Sequence, residues 1–177
     1  LFNTGKGHDW AIIGAGVLPS DAAMREKLKA QDYLTSVVEQ DNNRTAARVT
    51  APMIDIIAPD DKAALIEKLA DPAIRIVSMT ITEGGYFIDA SGHFNPGHPA
   101  IVEDSQNPAA PKTVFGLILA GLKLRRERGI APFTVMSCDN IPGNGHVTEN
   151  TVVGLAKLSD PAFAQWIHDN VAFPNSM

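Results

Sequence analysis

The sequence predicts an α/β protein with a mostly parallel sheet that helices cover on both faces. Short apolar runs rich in β-branched residues alternate with longer segments of helical character, and loops rich in Gly and Pro follow several of these runs. Strands separated by helices require crossover connections, which favour parallel pairing. The 177 residues suffice for one domain with a buried core.

The composition excludes several classes of protein. The chain is 45% hydrophobic and 20% charged with a net charge of −5, and this acidic balance argues against a nucleic-acid partner. A single cysteine, Cys138, cannot form an internal disulfide, which suits a reducing cytoplasm. No apolar run is long enough to span a membrane, and residues 1–10 lack the apolar core of a signal peptide. We therefore expect a soluble cytoplasmic protein without a membrane partner.

The first predicted elements are a strand and a helix. Residues 10–16 (WAIIGAG) form a short apolar run that glycines stop, which favours a buried strand. The following helix has Ser20 as its cap residue, Asp21 in its first turn and basic residues later. Residues 33–38 and 47–49 are strand candidates on either side of a polar, turn-prone stretch.

The middle of the chain continues the alternation. Residues 60–69 place apolar side chains near one face of a predicted helix, which Asp71 and Pro72 end. Residues 74–81 (IRIVSMTI) form a β-branched strand that stops at the segment TEGGY.

The second half begins with a predicted loop. Residues 89–110 are rich in Gly, Pro, Asn, Asp and His without a regular period, which indicates a long loop or lid. Residues 113–128 are apolar at first and basic in the last turn, as expected of a helix. A buried strand over 133–137 and helices over 149–158 and 161–171 complete the chain.

Ligands of such sheets bind beyond the carboxyl ends of the strands. Three segments of this sequence lie at strand ends: GAGVLPSD after the first strand, TEGGY after the middle strand and SCDNIPGNG after the last. We therefore expect the functional site to be built from them.

Two of these segments carry candidate site residues. Glu83 precedes two glycines, where the backbone can approach a ligand closely, or it lies in a tight turn with a solvated carboxylate. Asp139 and Asn140 directly follow a buried strand, and the Asn140 amide could donate a hydrogen bond to an oxygen that gains negative charge in a reaction. The alternative is local turn bonding before Pro142.

The first segment raises the possibility of dinucleotide binding. Gly14 and Gly16 begin a glycine fingerprint, but Pro19 occupies the position of its third glycine, so the motif fails. The strand could instead be the second of such a fold, where an acidic residue binds the ribose hydroxyls, and Asp21 is the nearest acid. The alternative role of Asp21 is to charge the first turn of its helix.

Two weaker patterns point to other chemistry. Cys138 could be a nucleophile with His146 as its base, although a small, half-buried cysteine is the commoner case. His93 and His98 lie near two acids, but neither an HExxH motif nor paired cysteines support a metal, and we predict no metal site.

Three segments, IRIVSMTITEGGY, PKTVFGLILAGL and FTVMSCDNIPGNGHV, resemble the polyol-specific long-chain dehydrogenases of the mannitol 2-dehydrogenase family. The resemblance runs from about Trp10 to Met177, and its most specific part is SCDN followed by P-x-N-G. It implies a Rossmann-like fold. In that family the nucleotide-binding domain begins with a strand and a GxGGFHRAH-like loop, and a largely helical C-terminal domain carries the catalytic lysine. We therefore expect residues 1–177 to be a partial dinucleotide-binding domain, cut from a longer protein, that lacks the first strand, its loop and the C-terminal domain.

The resemblance also implies roles for single residues. Asn140 matches the asparagine of the SCDN motif that helps to form the oxyanion hole. Asp21 matches the acid that follows the second strand and selects NAD over NADP. Ser20, Thr82 and Glu83 are the other residues that we expect to contact the cofactor.

The expected function is the NAD-dependent interconversion of a sugar alcohol and a ketose, such as mannitol and fructose. The general base would lie outside this chain, so the isolated chain is expected to be inactive. One alternative is a reductase of keto-sugar acids of the fructuronate or tagaturonate type. Another is a non-catalytic α/β binding module, in which Asn140 and Glu83 are only turn residues.

Overall fold

The computed structural model describes residues 4–7, 9–89 and 91–177. The chain divides into two compact units, Leu1–Ala64 and Leu65–Met177. Both contain strands and helices, and strands pair in parallel in each unit, which confirms the α/β class. No helix in the described ranges is long and apolar enough to cross a membrane.

The first unit contains two pairs of strands. Its elements are β1 (Ile12–Ala15), α1 (Asp21–Ala30), β2 (Thr35–Gln40), β3 (Thr45–Thr50) and β4 (Met53–Ile57). Strands β1 and β4 pair in parallel, with Ala15 opposite Ile57, and α1 packs against β4. Arg25 of α1 reinforces this packing, because its Nε donates a hydrogen bond to the carbonyl of Ile56 at 3.1 Å.

Strands β2 and β3 form an antiparallel hairpin, which is an exception to the parallel pairing that the sequence predicted. The Asp41 side chain makes the turn, since its Oδ1 accepts the backbone N–H groups of Asn43 at 2.7 Å and Arg44 at 2.8 Å. Such a self-bonded turn allows adjacent strands to reverse direction without a crossover helix.

The second unit contains the parallel pair that positions the candidate site. Its elements are the end of α2 (Lys62–Ala70), β5 (Ile76–Met79), α3 (Pro99–Gln106), α4 (Val114–Glu127), β6 (Thr134–Ser137), α5 (Asn144–Ser159) and α6 (Pro161–Asn170). Strands β5 and β6 lie side by side with Met79 opposite Ser137, so their carboxyl ends meet. Helix α5 packs against β6, α3, α4 and α6.

The core of this unit is mainly apolar and includes a buried cation. Its fully buried side chains include Phe115, Ile118, Leu122, Phe133, Val135, Val152 and Ile167. Arg125 of α4 is only 2% exposed, and its guanidinium donates hydrogen bonds to four backbone carbonyls. These carbonyls belong to Leu69, Asp71, Ile74 and Ala131. Arg125 thereby ties α4 to the connection between α2 and β5.

Several predicted boundaries were wrong. The predicted loop over residues 89–110 contains α3, which starts at Pro99 behind an extended His98 whose Nδ1 accepts the Ala100 N–H at 3.3 Å. Proline is common in the first helical turn, so in this position it begins a helix. Helix α5 starts at Asn144 and not at residue 149, because Asn175 Oδ1 caps its first turn through the Gly145 N–H at 2.8 Å.

Candidate active site

The loops that follow β5 and β6 border an open cavity of about 470 Å³. It is lined by Thr82, Glu83, Gly84, Asp139 and Asn140. Parallel strands place the loops at their carboxyl ends on one edge, where α/β folds bind ligands. The structure thus brings together two of the three segments that the sequence selected.

The carboxylate of Asp139 joins the two loops. Its Oδ2 accepts hydrogen bonds from the backbone N–H of Ile81 at 2.9 Å and from the Tyr86 hydroxyl at 2.7 Å. Its Oδ1 accepts the backbone N–H of Thr82 at 3.1 Å. Burial alone would raise the pKa of Asp139, but these hydrogen bonds outweigh burial and hold the pKa below its ordinary value. The carboxylate is therefore charged at neutral pH and engaged by the protein.

Thr82 has an unusual backbone conformation, with φ 64° and ψ 163°. This region is essentially restricted to glycine, and a β-branched residue in it carries strain of about 1–3 kcal/mol. Two hydrogen bonds stabilise the conformation: the Thr82 N–H donates to Asp139, and the Thr82 carbonyl accepts the Gly85 N–H at 3.0 Å. Strain of this kind is concentrated at functional sites.

Tyr86 and Ser137 form the buried floor beneath the Asp139 carboxylate. Both residues are 0% exposed, and the Tyr86 hydroxyl lies 2.5 Å from Ser137 Oγ. Burial raises the pKa of the Tyr86 hydroxyl, and the adjacent Asp139 carboxylate raises this pKa further. The hydrogen bond with Ser137 acts in the opposite direction but does not cancel the increase. Tyr86 is therefore a neutral hydrogen-bond donor and not a base.

A second set of hydrogen bonds holds the other end of the loop after β6. The buried Asn144 donates from Nδ2 to the carbonyls of Ser137 and Asp139, both at 3.1 Å. It also contacts Ser176, whose N–H donates to Asn144 Oδ1 at 3.0 Å. Asn140 lies between these two anchored residues, Asp139 and Asn144.

The Asn140 amide itself is exposed, and no hydrogen bond engages it within the described part of the chain. The Asp139 side chain makes the contacts of this loop, and turn bonding by the Asn140 side chain is not seen among the described residues. Glu83 on the opposite loop is also exposed, and no ion pair holds it among the described residues. The cavity therefore offers a free amide and a free carboxylate to a ligand.

The two glycines after Glu83 differ in their surroundings. A Cβ on Gly85 would come within 3.1 Å of the Ile81 side chain, so this position requires a small residue. A Cβ on Gly84 would have no atom within 4 Å. Gly84 is thus exposed on the rim of the cavity without a packing reason to be glycine.

The third predicted segment lies in the first unit. Asp21 Oδ2 accepts the backbone N–H groups of Val17 and Leu18, both at 2.9 Å. Ser20 holds the cap position of α1, but its side chain makes no capping hydrogen bond. Asp21 therefore takes over the capping that we predicted for Ser20, while its Oδ1 receives no hydrogen bond from the residues that the structure describes.

The weaker candidates do not assemble into sites. Cys138 and His146 are both exposed, and no hydrogen bond joins their side chains. His98 caps α3, since its side chain accepts the Ala100 N–H. Within residues 4–7, 9–89 and 91–177, no three potential metal ligands come together.

Comparison of the sequence with models of known protein families identifies the kind of domain that contains this cavity. Residues 2–177 match the family model described as the mannitol dehydrogenase Rossmann domain. The chain belongs to the mannitol dehydrogenase family.

Members of this family are similar to the chain over nearly all of its length. Mannitol 2-dehydrogenase of Cereibacter sphaeroides is 59% identical over 178 residues, which cover 100% of the chain and 37% of the relative. A polyol:NADP oxidoreductase of Gluconobacter oxydans is 47% identical and covers 96% of the chain. The solved structure of Pseudomonas fluorescens mannitol 2-dehydrogenase, a ternary complex with NAD and D-mannitol, is 48% identical with a TM-score of 0.93. That match covers 98% of the chain and 36% of the solved protein. The chain thus spans little more than a third of the length of these mannitol dehydrogenase relatives.

Sequence reasoning missed the residues that support the cavity. It named Asp139 as a neighbour of Asn140, but not as the carboxylate that joins the loops. It assigned no role to Tyr86, Ser137 or Asn144. Their only signal was position, since polar residues at the ends of apolar strands and at helix starts often bond to nearby loops.

Proposed function

We propose that the protein to which this chain belongs interconverts a sugar alcohol and a ketose, as the names of the mannitol 2-dehydrogenase relatives suggest. One observation carries the proposal: the Asn140 amide, with which no described residue forms a hydrogen bond, lies between two anchored residues at the carboxyl ends of β5 and β6. A preorganised donor of this kind stabilises negative charge that develops on a reacting oxygen.

The proposed cofactor is NAD, and the first unit has a residue that fits it. The Asp21 carboxylate leaves Oδ1 available beside the end of β1, where an acid can accept hydrogen bonds from ribose hydroxyls. NAD, when bound, supplies the hydride chemistry of the reaction. Because one relative is named for NADP, the preference of this chain for NAD rests on Asp21. Ser20, Thr82 and Glu83 are proposed as further contacts.

The residues around the cavity have distinct proposed roles. Asn140 donates a hydrogen bond to the substrate oxygen as that oxygen gains charge. Asp139 is not the general base, because its oxygens are engaged by three donors and its pKa is low. The general base is proposed to lie outside residues 1–177, so these residues alone are proposed to be inactive and to form one part of the catalytic unit.

The cavity favours an uncharged substrate over a sugar acid. Of its five lining residues, all within the described part of the chain, two are carboxylates and none is a cation. A substrate carboxylate would meet like charge there, whereas polyol hydroxyls can donate hydrogen bonds to Glu83. We also propose a cytoplasmic location, since the exposed Cys138 is a free thiol.

Substitution of Asn140 in the full-length protein tests the proposal. Asn140→Ala is expected to lower kcat with mannitol and NAD by about two orders of magnitude, the cost of one oxyanion donor. Asn140→Asp is expected to be worse, because a carboxylate would face the developing charge without a donor. The matched control is Cys138→Ala, an exposed residue of the same loop that does not line the cavity, and it should retain activity.

Single-turnover rates and melting temperatures, measured on the same preparations, separate catalysis from folding. A normal single-turnover rate in Asn140→Ala would refute the proposed role. If both Asn140 variants melted early but kept their activity per folded molecule, Asn140 would be a turn residue only. Loss of activity in Cys138→Ala with normal melting would favour the cysteine nucleophile instead.

A further inference from the structure

We propose that Asp139 is a positioning residue that fixes where the Asn140 amide points by binding the neighbouring loop at Ile81 and Thr82. The inference rests on the proposed function, because it concerns how the chain holds the donor that this function requires.

The hydrogen bonds of Asp139 assign it to positioning and not to substrate contact. Its two oxygens receive three donors, all from the protein: the N–H groups of Ile81 and Thr82 and the Tyr86 hydroxyl. Two of these donors are the consecutive backbone N–H groups of Ile81 and Thr82. The carboxylate therefore fixes both the orientation of this loop backbone and its distance from Asp139. A carboxylate engaged in this way has little capacity left for a ligand.

Asn140 depends on its neighbours for its orientation. Its own side chain makes no hydrogen bond among the described residues, and it is exposed. The Asp139 carbonyl before it is held by Asn144 Nδ2 at 3.1 Å and by the Ile141 N–H at 2.9 Å. With the carbonyl held on one side and the carboxylate on the other, the backbone of Asp139 has little freedom to rotate, and Asn140 is directed toward the cavity.

The same contact shapes the opposite rim. The Thr82 N–H donates to Asp139 while Thr82 has a left-handed φ of 64°. Loss of that bond removes one of the two contacts that stabilise this conformation, and the loop that carries Glu83 is expected to relax. Asp139 therefore controls the spacing between Asn140 and Glu83.

The first variant is Asp139→Asn in the full-length protein. If the amide oxygen of the new side chain keeps the Ile81 and Tyr86 bonds, its NH₂ group faces the Thr82 N–H, so two donors oppose each other. Misplacement of a catalytic group by about 1 Å can cost a hundredfold in rate. We expect kcat to fall by about 10- to 100-fold, with faster amide exchange at Thr82.

The chain provides a matched control in Asp104. This buried carboxylate also accepts two backbone N–H groups and one hydroxyl, from Lys112 and Thr113, but it does not line the cavity. Asp104→Asn removes the same charge from the same pattern of bonds. It is expected to lower the melting temperature while kcat per folded molecule stays normal, which separates positioning from general stability.

A double-mutant cycle with Asn140→Ala decides the question. If Asp139 positions Asn140, Asn140→Ala costs about a hundredfold in kcat in the parent protein but less than about tenfold more in the Asp139→Asn background. Equal factors in both backgrounds overturn the positioning role and leave the proposed function standing. If Asn140→Ala has no effect in the parent protein, the proposed function fails and this inference fails with it. An unchanged kcat in Asp139→Asn also overturns the inference.

Discussion

Asp21→Asn separates the capping role that the structure shows for this residue from its proposed contact with the ribose of NAD. In the structure, Oδ2 accepts the N–H groups of Val17 and Leu18, whereas Oδ1 receives no hydrogen bond from the described residues. An asparagine can keep both backbone bonds through its single oxygen and place its NH₂ group where Oδ1 was. The turn is then preserved while the negative charge is lost.

The expected size of the effect follows from these bonds. A hydrogen bond to a charged group contributes about 1.5–3 kcal/mol and a neutral one about 0.5–1.5 kcal/mol. Replacing a charged acceptor by a neutral donor at the ribose should therefore cost about 1.4 kcal/mol or more, a tenfold or greater fall in kcat/KM for NAD. For NADP the change has the opposite sign, because a carboxylate that repels the 2′-phosphate is removed.

The assay compares kcat/KM for NAD and for NADP in the full-length protein, together with the melting temperature. Asp21→Ala should shift the cofactor ratio similarly but also lose the two backbone bonds, at a cost of about 0.5–2 kcal/mol of stability. Asp41→Asn is the control, since Asp41 also accepts two backbone N–H groups and lies in the β2–β3 hairpin. An unchanged NAD/NADP ratio in Asp21→Asn would show that Asp21 is only a capping residue.

Three further outcomes are expected. Arg125→Lys should lower the free energy of unfolding by about 3 kcal/mol in urea titrations, because an ammonium cannot replace a guanidinium that serves four carbonyls; an unchanged value would contradict the role of this cation. Folding lowers the pKa of Asp139, so its charged form stabilises the protein at pH values above the pKa that Asp139 has in the unfolded chain. This stabilisation is lost as the pH falls through the lower pKa that Asp139 has in the folded protein. The stability difference between the parent protein and Asp139→Asn should therefore shrink below about pH 4, and a difference independent of pH down to about pH 2 would argue against it. Residues 1–177 alone should show no turnover of mannitol with NAD, and a rate near about 1 s⁻¹ would contradict a base outside this chain.

The elements with a clear period were predictable from sequence, and those with mixed signals were not. The helix α4 and the strand β6 follow directly from apolar runs bounded by polar residues. Strand β4 was not predicted, because Asp55 interrupts its apolar run of five residues. Helix α3 was predicted as a loop, since its surroundings are rich in Pro and Gly and its cap is a histidine. The helix is indicated by the order of its first residues, a cap residue followed by proline, and not by the composition of the segment.

The position of the candidate site could be predicted from the sequence, but the contacts that hold its loops together could not. The rule that loops at the ends of parallel strands bind ligands selected the two loops of the second unit that line the cavity. It could not reveal that the Asp139 carboxylate reaches back to Ile81 and Thr82, which lie 58 and 57 positions earlier in the chain. Such long-range contacts depend on the register of β5 and β6, which a single sequence does not contain.

The open surroundings of Gly84 make this position a probe of ligand size. Its neighbour Gly85 cannot accept a larger residue without moving Ile81, but no atom lies within 4 Å of a Cβ at Gly84. A set of substitutions from Ala to Trp at Gly84 would therefore leave folding nearly unaffected and fill the cavity in steps. If the full-length protein oxidises polyols as proposed, the largest side chain at position 84 that still permits turnover of a given polyol would report how much space that polyol needs in the cavity.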